Sequence, residues 1–125
     1  MAKTYNYYVG IDVSRDKLDL CLSGGGKVLA TEVIDNKVDR INGLFAEWRG
    51  AFEGFTEGQV LICLESTGRY ANPVLSVEGH DLWLCNPLSI KRSLGLQRGK
   101  NDKVDAERIA EYAYRYADRA DLYVR

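Results

Sequence analysis

The stretch that most narrows the fold is "QVLICLE", residues 59–65, in which five successive apolar residues end on an acid. A strand with no polar side to turn toward water has to be covered on both faces, as central strands of parallel sheets are. The rest of the chain must therefore supply two covering layers. One is the helix predicted from Asn36 to Trp48, where Val38, Ile41, Leu44, Phe45 and Trp48 recur at three- and four-residue steps. The other is predicted from about Asp102 to Asp118, where Ala106, Ile109, Ala110, Ala113 and Ala117 form a narrow stripe of small residues suited to close packing on a sheet.

Upstream, "YYVGIDVS" alternates Val9, Ile11 and Val13 with Tyr8, Gly10 and Asp12, which places Asp12 near the carboxyl end of a strand. The polar "SRDK" turns the chain, "LDLCL" alternates again, and "GGGK" turns it once more into "VLATEVI", giving an antiparallel meander. After "STG" the pattern predicts a short helix around Tyr70–Val77, a strand "DLWLC", and another short helix from about Ser89. The order is that of an α/β, ribonuclease H-like mixed sheet: three antiparallel strands, then two parallel strands, flanked by helices. By analogy with that architecture the fourth strand is expected parallel beside the first, an arrangement that right-handed crossover favours. At 125 residues, with no internal repeat or linker, one domain over 1–125 is expected.

With 46% hydrophobic and 28% charged residues the chain is of the globular kind. No apolar run approaches the roughly 20 residues that span a bilayer, and "MAKTYNYYVG" lacks the apolar block of a secretory signal, so a cytoplasmic protein with no membrane partner is expected. Cys21, Cys63 and Cys85 are odd in number and set among aliphatic residues, which reads as reduced core thiols. A net charge of −1 excludes a protein that coats nucleic acid by charge alone. Locally, however, Lys91, Arg92, Arg98, Lys100 and Lys103 stand against the single acid Asp102, a segment able to meet phosphates.

Asp12 and Glu65 are expected at the carboxyl edge of adjacent parallel strands, where α/β folds place ligands. Asp102 lies seven residues before Ile109 and Asp105 four, so both extend the face of the small-residue stripe toward the sheet. Plain roles are open to three of them, Asp102 as a helix N-cap, Asp105 as an acid favoured by the helix dipole and Asp12 as the opening of the "SRDK" turn, whereas an acid such as Glu65 at a buried strand end is rarely unpaired. Asp16 and Asp19 read as solvated there, and His80, after a glycine in a turn, reads as a surface residue. Four ionised carboxylates in one crevice would repel unless cations neutralise them, and oxygen-only donors suit a hard ion, Mg²⁺ or Mn²⁺. Two such ions, about 3.5–4 Å apart, serve phosphoryl displacement. Ser66 and Thr67 read as caps of the helix after Glu65, or as contacts to a phosphate or an ion's water.

"VGIDVSRDKLDL", "LESTGRY", "NPLSIKRSLG" and "GKNDKVDAERIAEYA" together resemble the N-terminal, RuvC-like catalytic domain of the insertion sequence 110 family, the DEDD-type transposases. The resemblance implies that Asp12, Glu65, Asp102 and Asp105 form the acidic tetrad and that the activity is metal-dependent DNA strand cleavage and transfer. It also implies DNA at element ends and target, in several members a guide RNA, a homo-oligomer, and a C-terminal domain supplying a serine nucleophile. The alternatives are a noncatalytic nucleic-acid-binding module of the same fold and a RuvC-type junction resolvase.

Overall fold

The computed structural model describes residues 4–65, 68–85 and 102–124, with the backbone alone for 102–104. Its strands are β1 (Tyr7–Val13), β2 (Lys17–Gly24), β3 (Lys27–Asp35), β4 (Val60–Glu65) and β5 (Asp81–Cys85). They form one sheet in the order β3-β2-β1-β4-β5. β1 pairs antiparallel with β2 and parallel with β4, and β4 pairs parallel with β5, as the sequence pattern predicts. The meander turns at Gly25–Gly26, both with positive φ (61° and 80°), the conformation of a two-residue hairpin turn that glycine adopts without steric cost.

Helix α1 (Val38–Ala51) covers one face with Ile41, Leu44, Phe45 and Trp48, which pack with Val9, Ile11, Leu18, Leu20, Val60, Ile62 and Leu64. It starts two residues later than predicted because Asn36 is used otherwise: its Nδ2 donates to the carbonyls of Ser14 at 2.8 Å and Tyr70 at 2.9 Å. That side chain ties together the loops leaving β1 and β4. A 3₁₀ turn (Gly68–Ala71) and α2 (Asn72–Leu75) occupy the predicted short-helix region, with Ala71 and Val74 in the same core. The helix expected from about Ser89 lies outside the described residues.

The other face belongs to α3 (Asp102–Tyr116), whose Ala106, Ile109, Ala110 and Ala113 meet Cys21, Leu61 and Cys63. Closeness depends on Gly10. A Cβ there would overlap the Ala106 carbonyl oxygen and the Ala110 amide nitrogen, so α3 lies directly on the strand backbone. Beyond α3 a 3₁₀ turn (Ala117–Arg119) leads to the outer edge of β5, where the Tyr123 amide donates to the Leu82 carbonyl at 2.7 Å.

Two expectations are corrected. His80 is buried, only 5% exposed, with its ring edge-on to Phe45 and close to Phe55. Asp19 is 4% exposed rather than solvated. Its neighbour Asp16 is open to water as predicted, and all three cysteines are buried free thiols. Among the described residues no helix is long and apolar enough to cross a membrane.

Candidate active site

Side chains alternate along a strand, so Tyr8, Gly10 and Asp12 point to the α3 face while Val9, Ile11 and Val13 enter the α1 core. On β4, Leu61, Cys63 and Glu65 share the α3 face by the same rule. The parallel register runs to Ile11 opposite Leu64, and the next step sets Asp12 beside Glu65. The two acids therefore stand on adjacent strands, on one face, at the carboxyl ends. In the antiparallel direction Asp12 lies directly opposite Asp19, whose Cβ is about 5 Å away in such pairs.

Helix α3 runs antiparallel to β1. Tyr114 meets Tyr8, with ring centroids 5.4 Å apart at 81°, and Ala110 and Ala106 rest on Gly10. Four helical residues rise about 6 Å and two strand residues about 6.6 Å, so the steps stay in phase. One more step carries the first turn of α3, Asp102 to Asp105, to the level of Asp12. The small-residue stripe is thus what lets this turn approach the strand ends.

The half-buried Asp105 has its Oδ1 3.5 Å from Nη2 of Arg108, one turn along the helix. Asp19 Oδ2 is 3.4 Å from Lys17 Nζ yet accepts no hydrogen bond among the described residues, on the face that carries Asp12. Among the described residues no three His, Cys, Asp or Glu side chains converge into a ready ligand set. The side chain of Asp102 lies outside the described residues. So do the predicted contacts Ser66, Thr67, Lys91, Arg92, Arg98 and Lys100, and of Lys103 only the backbone is described. Asp12 and Glu65 thus stand at neighbouring strand ends on the face that α3 covers, and carboxylates are donors of the kind that fit a hard divalent ion. Burial raises the Cys63 thiol pKa well above its ordinary value, with the hydrogen bond to Cys85, the Cys85 charge and the Glu65 charge adding to it. Cys63 therefore stays a neutral wall beneath the acids.

Three residues escape a sequence reading. Asp19 could have been found from "LDLCL", where it shares a strand face with Cys21. Asn36 and Arg108 gain their roles only from contacts across the fold.

A mixed sheet of this order, covered by helices on both faces, is the ribonuclease H-like fold. Structural comparison agrees: Thermus thermophilus RuvC in complex with a Holliday junction substrate matches with a TM-score of 0.65 at 20% identity, covering 95% of this chain and 100% of that one. A second Thermus thermophilus RuvC structure matches with the same score and identity over 94% and 99%. The family model of the DEDD, insertion sequence 110 type, described as "Transposase", matches residues 9–123, and the chain belongs to that family. No curated protein sequence matches it significantly.

Proposed function

We propose that residues 1–125 form the catalytic domain of a DNA transposase that cuts and transfers strands with divalent-ion assistance. The observation that carries this reading is the parallel register of β1 and β4, which sets Asp12 beside Glu65 at the strand ends on the face that α3 covers. These two, with Asp102 and Asp105, would hold Mg²⁺ or Mn²⁺, in the pair of ions that phosphoryl displacement uses. When bound, the ions supply Lewis-acid activation of the attacking oxygen and charge neutralisation at the leaving oxygen.

The chain's own residues do the positioning. Asp12 and Glu65 sit on rigid strands buried on both faces, so their carboxylate stems are fixed by the core. Asn36 locks the loops that follow those strands. Asp105 sits on α3, where Arg108 is its charge contact. The segment Lys91, Arg92, Arg98, Lys100 and Lys103 would hold DNA phosphates, and Ser66 and Thr67 would support the end of β4. DNA ends and target, a homo-oligomer, a C-terminal domain with the nucleophilic serine and, as in several members of the family, a guide RNA would complete the machine.

The test is Mn²⁺ binding, followed by electron paramagnetic resonance of the protein with element-end DNA. Asp12→Asn and Glu65→Gln should each weaken binding on the order of a hundredfold and, in the protein joined to its C-terminal domain, abolish DNA nicking. Undiminished Mn²⁺ affinity in the double variant defeats the reading, and nicking of four-way junctions in preference to element ends would turn it to a junction resolvase.

A further inference from the structure

A groove of about 490 Å³ lies between the β2–β3 turn and one flank of α3, lined by Gly26, Lys27, Val28, Arg108, Tyr114 and Arg115 among others. Its most unusual component is Arg108. The side chain is only 11% exposed, and its Nε and Nη2 are both buried without a hydrogen-bond acceptor among the described residues. The 3.5 Å approach of Asp105 is a charge contact without hydrogen-bond geometry. Guanidinium donors withdrawn from water and left unsatisfied are costly, so an acceptor is missing from this place. A planar guanidinium fork matches a phosphate group, with two parallel N–H···O bonds.

The rest of the groove suits the same ligand. Tyr114 is 46% exposed, and its ring is steadied edge-on by Tyr8. Gly26 faces the ring with no side chain of its own; a Cβ there would stand 3.5 Å from the Tyr114 hydroxyl. Lys27 and Arg115 add positive charge, Glu111 is held by Arg115 at 3.1 Å, and Glu107 is the remaining acid of the lining. A buried cation beside an open aromatic face is the pairing used for single strands, the cation taking backbone and the ring taking a base. One turn of α3, about 5 Å, separates Arg108 from Asp105.

We propose that this groove holds a single nucleic-acid strand, Arg108 gripping one backbone phosphate and Tyr114 stacking a base, so that the adjoining strand leads to the carboxylates. The class of ligand rests on the nucleic-acid reading above; the site itself rests on Arg108 and the groove. The test uses fluorescein-labelled oligo-dT and oligo-rU, each about 20 nucleotides long, in fluorescence anisotropy over a salt series in EDTA.

Arg108→Met should lower affinity about tenfold and reduce the slope of log affinity against log salt by about 0.7, the share of one phosphate on a single strand. Arg108→Lys should keep the slope. Tyr114→Ala should lower affinity about fivefold with the slope unchanged, because stacking carries no charge. Val28→Glu, on the exposed rim, should weaken binding without touching the core. A loss seen with one oligomer alone supports the groove and identifies the sugar it accepts. Unchanged affinity and slope in both Arg108→Met and Val28→Glu overturn the proposal; if Arg108→Met fails to fold, unchanged binding in Tyr114→Ala and Val28→Glu does so. Because EDTA removes divalent ions, failure here leaves the cation reading standing, and failure of the cation test leaves this one valid.

Discussion

Gly10→Ala places a methyl group where the backbone of α3 already lies. The added carbon would overlap the Ala106 carbonyl oxygen and the Ala110 amide nitrogen and stand 2.9 Å from the Ala110 Cα. Comfortable carbon contacts are about 3.5–4.0 Å, so the helix has to retreat by about 1 Å. Overpacking of this kind costs roughly 1–3 kcal/mol, and the upper end applies because the obstacle is backbone and cannot rotate away. Alanine offsets about 0.4–1 kcal/mol through the unfolded chain, since Gly10 has no positive φ to protect. The net loss is about 2 kcal/mol, or about 1 M in urea midpoint at a slope near 2 kcal/mol per M. Fluorescence of Trp48 and Trp83 in urea measures it, with the slope unchanged. Ala110→Gly should not rescue the variant, because the overlapping atoms are not its side chain. A midpoint equal to or above that of the parent would show that α3 does not rest on Gly10 and would remove the basis for placing its first turn beside Asp12.

Three further outcomes are expected. Asp12 and Asp19 face each other across β1 and β2, so a double-mutant cycle in EDTA with Asn at each should give a repulsive coupling of about 0.5–1 kcal/mol; zero coupling would mean that the carboxylates diverge. Burial pushes the Cys21 thiol pKa up to about 12, with Glu107 adding to it, and burial also raises the Cys63 thiol, so an aromatic disulfide reagent at pH 8 should label native protein only as fast as it opens, and label all three thiols in guanidinium. Prompt labelling of native protein would contradict the packing. Burial, followed by the hydrogen bond to Asp81, raises the Tyr5 phenol far above its ordinary value. The folded chain therefore keeps a proton that the unfolded chain loses near pH 10, so stability is full below that pH and falls above it. Tyr5→Phe should flatten this alkaline decline in urea midpoints, and an unchanged decline would exclude Tyr5 as its source.

Much of the architecture was legible because it is periodic. The unbroken apolar run of β4 demanded cover on both faces, and α1 and α3 supply it with the stripes the sequence displays. Asp12 and Glu65 could be placed at strand ends for the same reason. Asp19 was misread because an acid alternating with leucines normally marks the wet side of a hairpin, whereas here that side meets α3. His80 was misread because the rings that enclose it, Phe45 and Phe55, lie far away in sequence. Arg108 carries no signal of its own in the sequence, because its groove exists only once the β2–β3 turn is set beside α3.

The sequence by itself determined the kinds of element, their order and the faces they would bury, since backbone sterics and side-chain periodicity act over a few residues. Only the tertiary structure decided that Asp19 stands against Asp12, that Asn36 joins two loops, and that Arg108 lines a groove. Those depend on strand register and on how closely a helix can approach a glycine, quantities fixed by the sum of contacts between segments distant in the chain.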